Sequence, residues 1–124
     1  MTLRVDLGAH GALGPGKIRL MEAIHRHGSI SAAGRTMGMS YRRAWLLVDS
    51  LNQTFREPVV ATQHGGSGGG GAALTEAGHA LVRRYRELEA AATAAAGEHL
   101  AALAAALSDL PPPPLPADVE PPEG

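Results

Sequence analysis

Ser40, Tyr41, Arg42 and Arg43 place two hydroxyls and two guanidinium groups in four consecutive positions. An arginine fork can grip a phosphate or a guanine edge with paired N–H groups, and the hydroxyls add single hydrogen bonds. Further along, Gly65 to Gly71 contains six glycines in seven residues. Such a run has no side chains to pack, but it lets backbone N–H groups come close to a phosphate or a groove wall. Both features suit recognition of a polyanion by contact rather than by bond-making chemistry. The bland alternative for the arginines is the solvated face of an ordinary helix.

Other chemistries find less support. No Lys-Ser/Thr pair follows the glycines, so a Walker phosphate loop fails. Gly66, Gly68 and Gly71 match G-x-G-x-x-G, but glycine density makes that match nearly automatic, and the chain is too short for a second βαβ unit. A simple spacer stays open beside the preferred reading of a β-hairpin tip. Six histidines are spread over positions 10, 25, 27, 64, 79 and 99 without H-E-x-x-H spacing, and His25 and His27 diverge on a helix. There is no nucleophile elbow, no paired-carboxylate motif and no cysteine. Neither an enzyme, a metal site nor a cofactor is expected.

The formal net charge of −1 conceals a division. Residues 1–90 hold all 11 Lys and Arg and 7 of the 12 carboxylates, a balance of +4, whereas residues 91–124 hold 5 carboxylates and no base, −5. A basic head and an acidic tail fit a nucleic-acid-binding unit with an extension. The N-terminal residues lack the apolar core of a signal peptide, and the Ala-rich stretch near 90–107 is too weakly apolar to span a membrane. A soluble cytoplasmic protein is expected.

The elements that must hold these residues are readable from local chemistry. Leu3, Val5 and Leu7 alternate with polar residues as in a half-buried strand, and His10 to Gly14 reads as a loop. Pro15 opens a helix that buries Ile18, Met21 and Ile24 and closes at Gly28. Ile30 to Met37 forms a short helix capped by Ser29 or Ser31, and Gly38 stops it. Ser40 caps the next helix, in which Ala44, Leu47, Val48, Leu51 and Phe55 share a buried stripe at about 100° per residue. Arg42, Leu46, Asp49, Ser50 and Gln53 point away, with Arg43 beside them and Tyr41, Trp45 and Asn52 on the border. Two short strands, around Val59 to Thr62 and Ala72 to Leu74, flank the glycine run as a wing.

Thr75 caps a long helix with Glu76 in its first turn. Leu81, Tyr85, Leu88, Ala92 and Ala95 follow 4-3-4-3 spacing, and Leu100, Leu103, Leu107 and Leu110 resume it after a phase shift near Gly97. This seam suits the same helix of a second subunit, with Leu81, Tyr85, Leu88, Ala92, Leu100 and Leu103 as the dimer contacts. An Ala-rich helix held by propensity alone is the competing reading. Arg83, Arg84 and Arg86 either reach a polyanion or pair with Glu87 and Glu89. Pro111 to Gly124 has seven prolines in fourteen residues and is expected to be a disordered tail.

The segment SISAAGRTMGMSYRRAW, then LN, then GGSGGGGAALTEAG resembles the N-terminal DNA-binding domain of the molybdate-responsive ModE regulators over roughly residues 3–90. The segment Leu74 to Gly78 is also similar to the broader LysR-type winged helices. The resemblance implies a winged helix-turn-helix homodimer that binds an operator in double-stranded DNA. It also implies that Ser67 stands where family members often carry a basic wing residue. Because a proline tail occupies the place of the molybdate-binding domains, no effector domain and no molybdate binding are expected of this chain.

The combined expectation is a mainly α fold with a small β-hairpin wing. A winged helix-turn-helix should cover 1–74, a long dimerisation helix kinked near Gly97 should cover 75–110, and a Pro-rich tail should cover 111–124. Contacts with DNA are expected from Ser31, Ser40, Tyr41, Arg42, Arg43, Gln53, His64, Gly66, Ser67 and Gly68. The rival class is a protein-interaction module with a basic surface and a proline-rich tail.

Overall fold

The computed structural model describes residues 1–63 and 70–114. Its order is β1 (Val5–Asp6), β2 (Ala12–Leu13), α1 (Pro15–His27), α2 (Ile30–Thr36), α3 (Tyr41–Thr54), β3 (Val60–Gln63), β4 (Gly71–Leu74), α4 (Glu76–Ala95) and α5 (Gly97–Ala105). The helix boundaries follow the capping chemistry. Ser29, Ser40 and Thr75 accept hydrogen bonds from the amides of Ala32, Arg43 and Gly78 at 3.0, 3.1 and 3.0 Å. Gly38, at φ +69°, makes the left-handed turn between α2 and α3.

The core gathers where α1, α2, α3 and α4 meet. Ile18, Leu20, Met21 and Ile24 of α1 are fully buried against Ala33 of α2 and Ala44, Val48 and Leu51 of α3. Small residues bring α2 and α3 together: a Cβ on Gly34 would lie 3.1 Å from that of Ala44. The stripe expected on α3 is the buried one, with Leu47 and Phe55 partly covered at its margins.

Strands β3 and β4 pair antiparallel, with Val60 opposite Leu74 and Gln63 opposite Gly71, and form the base of the wing. The outer edge of β4 is also tied down, because the Ala72 amide donates to the carbonyl of Gly28, the α1 cap, at 2.8 Å. Val59 and Val60 bury their side chains beneath this hairpin.

Three expectations are corrected. The loop from His10 to Gly14 contains β2, which pairs with β1 in register Val5–Leu13, so the N-terminal strand has a local partner. The long helix is interrupted at Ala96, next to the kink expected at Gly97, but its second part ends at Ala105 rather than continuing to Leu110. Finally, the first half of α4 belongs to the core of the N-terminal unit. Tyr85 is 1% exposed, and its hydroxyl donates to the Leu3 carbonyl. Burial holds that hydroxyl's pKa above its ordinary value. Leu81 and Val82 pack on the same core. Tyr85 is thus enclosed by its own chain and Leu81 is half enclosed, because the apolar stripe of α4 lies along α1 here.

Gly78 explains why α4 can start so close to the wing. A Cβ at this position would fall 2.0 Å from the Val59 carbonyl oxygen, a backbone atom with no freedom to step aside. Gly78→Ala is expected to lose about 1–3 kcal/mol by overpacking. In thermal denaturation this is a drop of roughly 4–8 °C per kcal/mol, while an unchanged midpoint would refute the close approach.

Candidate nucleic-acid interface

Helix α3 presents three solvent-facing strips besides its buried one, because successive residues turn by about 100°. On one flank Tyr41 and Trp45 face the wing. They share a groove of about 220 Å³ with Ile30 and Ser31 of α2, and with Thr62, Gln63, Gly71 and Ala72 of the wing base. Along the crest stand Arg42 and Leu46, both exposed. On the far flank, Arg43 and Leu47 adjoin Met39 and the N-terminal hairpin. Ser40, Arg42, Arg43 and Leu46 lie together around the helix start.

The start of α3 combines hydrogen-bonding and apolar groups. Ser40 spends an oxygen lone pair on the Arg43 amide, and its O–H remains a donor. Tyr41 is 59% exposed although it is aromatic, and Trp45 and Leu46 are 45% and 48% exposed. Three large apolar side chains thus face solvent beside two arginines, a combination uncommon on a purely solvated helix face. Trp45 and Leu46 did not figure among the sequence-derived contacts. Their exposure is what distinguishes them, and angular position alone left Trp45 on the border.

Gln53 stands apart from this cluster. It lies about 18 Å along the helix from Tyr41 at 1.5 Å per residue. Its amide donates to the Asp49 carboxylate at 2.9 Å, which puts a negative charge at its side. Four other expected contacts, His64, Gly66, Ser67 and Gly68, fall outside the described residues.

Asn52 is the residue that sequence reasoning undervalued. Its Oδ1 accepts from the amides of Val59 and Val60 at 2.8 and 3.0 Å, and its Nδ2 donates to the Val60 carbonyl at 3.0 Å. One side chain of α3 therefore supplies an artificial strand edge to the start of β3. Thr75 closes the other side: its hydroxyl donates to the Pro58 carbonyl at 2.7 Å and its amide to Val59 at 3.1 Å. Wing and helix are held at one angle by bonds that a border position in a helical projection does not reveal.

The arginines of α4 divide. Arg86 donates through Nε and Nη2 to Glu22 of α1 at 3.2 and 2.7 Å, and through Nη1 to Glu89 at 2.8 Å. Those hydrogen bonds, the Glu22 pair first, push its pKa further upward. It is a brace between α1 and α4 and takes no part in the α3 surface. Arg84 sits 3.7 Å from Glu87 in an exposed pair. The fold also brings together two of the scattered histidines, with His25 and His79 ring centroids 4.8 Å apart in an edge-on contact.

On the seam expected for dimerisation, Leu88 is 44% and Leu103 66% exposed, while Ala92 and Leu100 are half-buried. Leu107 and Leu110, beyond α5, are 75% and 77% exposed. No helix among the described residues is long and apolar enough to cross a membrane.

Replacing Asn52 by Ala strips partners from two amides and a carbonyl. A loss of about 2–4 kcal/mol is expected, with faster hydrogen exchange at Val59 and Val60. Unaltered protection at those amides would show that β3 is held by other means.

Comparison with known proteins places this geometry. Residues 16–79 match the model of the bacterial regulatory helix-turn-helix proteins of the lysR family. The chain is 48% identical over 85 residues to the molybdenum-pterin-binding protein MopA of Rhodobacter capsulatus, covering 68% of this chain and 32% of that protein. It is 44% identical over 89 residues to the molybdenum transport protein ModE of Azotobacter vinelandii, covering 72% and 32%. Against the DNA-binding transcriptional dual regulator ModE of Escherichia coli it is 39% identical over 71 residues, covering 57% and 27%. The chain thus spans about a third of the length of the curated relatives it matches. The matched segment contains α1, the α2–turn–α3 unit, the wing strands and the start of α4, and by it the chain belongs to the lysR family of bacterial helix-turn-helix regulators.

Proposed function

We propose that the protein is a DNA-binding transcription regulator of the ModE type, and that it acts in the cytoplasm as a homodimer on double-stranded DNA. The observation that carries this reading is the crest and flank of α3. Arg42, Arg43, Ser40 and Tyr41 occupy the first turn of the second helix of a helix-turn-helix, the part that meets base edges in the major groove. Arg42 and Arg43 offer forks to guanine or phosphate. Tyr41, Trp45 and Leu46 add an apolar component suited to thymine methyl groups. Ser31 and the wing base line the adjoining groove, where a sugar-phosphate strand would run.

Dimerisation rests on the apolar surface that the chain leaves open. Leu88 on α4, Leu103 on α5, and Leu107 and Leu110 beyond it are exposed. Large apolar side chains repeated along one region call for a partner. A two-fold dimer would set its recognition helices about 34 Å apart, one turn of duplex.

Arg42→Ala with Arg43→Ala is expected to abolish duplex binding in fluorescence anisotropy at fixed salt while the helical circular dichroism stays unchanged. Retained affinity would remove α3 from the interface. Leu88→Glu with Leu103→Glu is expected to give monomers in sedimentation and weaker DNA binding. A dimeric double mutant would place the subunit contact elsewhere.

A further inference from the structure

The flank of α3 that faces away from the wing opens on a second surface, which none of the expected contacts except Arg43 touches. There β1, β2 and the first turns of α1 form a cleft of about 390 Å³ with the start of α3. Among the described residues its charged lining is Arg4 from the N-terminal segment, Lys17 and Arg19 from α1, and Arg43 from α3. Lys17 donates one N–H to the Ala12 carbonyl at 2.8 Å, which orients the ammonium and leaves two donors. Gly11, Gly14 and Gly16 keep the walls low. Four cations from three separate segments thus converge on one concave strip next to the recognition helix.

We propose that this cleft holds the phosphates of the DNA strand on the side of α3 opposite the wing. The inference rests on the reading of α3 as a major-groove helix. A helix in that groove, about 12 Å wide, has a phosphate backbone on each side. The wing base and Ser31 border one flank through Tyr41 and Trp45, and the cationic cleft borders the other through Arg43 and Leu47. Arg43 then sits between the base-reading crest and the phosphate track. The N-terminal hairpin becomes part of the interface, and Arg4 and Arg19 set affinity and its salt dependence without choosing sequence.

The test uses the whole chain and a fluorescein-labelled 30-base-pair duplex of random sequence, titrated between 50 and 200 mM KCl. Each phosphate contact contributes about 0.9 to the slope of log K against log salt concentration. Arg4→Ala with Arg19→Ala should therefore flatten the slope by about 1.8, with both side chains exposed and the fold retained by circular dichroism. Arg83→Ala with Arg84→Ala, which removes the same charge from exposed positions on α4, should leave the slope as in the wild type. If the wild type binds and Arg42→Ala weakens it, but the Arg4 and Arg19 pair leaves the slope unchanged, the cleft assignment is overturned and the α3 reading stands. Equal flattening by the α4 pair would reduce the effect to net charge and overturn the assignment as well. A wild type without affinity for duplex would overturn both.

Discussion

The orientation of the wing depends on three hydrogen bonds made by a single amide. Asn52, on the last turn of α3, serves both donors and an acceptor at the start of β3, and no other residue type of that size offers an acceptor and a donor in the same plane. Thr75 and Gly78 complete the arrangement from the side of α4, one by capping and bridging to Pro58, the other by having no Cβ to meet Val59. The wing base, the recognition helix and α4 therefore meet at residues Pro58 to Val60. A hairpin of two four-residue strands has little stability of its own, so this junction is what makes it a fixed part of a surface.

The same junction explains a division of labour along α4. Its first half is committed to the core through Leu81, Val82 and Tyr85, and the Arg86–Glu22 pair braces it against α1. Its second half and α5 carry Leu88 and Leu103, which are exposed among the described residues. In the proposed dimer the orientation of a partner subunit would reach α3 through α4, because the helix that leaves the core is the one that carries the exposed Leu88.

Much of this was legible in the sequence, for physical reasons that differ by element. The caps at Ser29, Ser40 and Thr75, the turn at Gly38 and the buried stripe of α3 follow from local chemistry and helical period, and the structure has them. The arginines at the start of α3 were legible because position in a helix-turn-helix defines their direction. Tyr85 misled because spacing within one helix cannot say whether an apolar stripe faces its own domain or another chain. Strand β2 was hidden because two residues between glycines carry no periodicity. Asn52 and the cleft around Arg4, Lys17 and Arg19 were invisible for a common reason: each joins segments distant in sequence, and only the packed fold sets them side by side.

The proposed function requires α3 and the base of the wing to form one surface for duplex DNA. The most direct measurement is a titration of the labelled protein with duplex, followed by amide chemical-shift changes residue by residue. The account predicts that Ser31, the amides from Ser40 to Leu46, and Thr62, Gln63 and Gly71 move together at one stoichiometry, while those of α5 stay still. Shifts confined to α5, or to α3 without the wing strands, would contradict it.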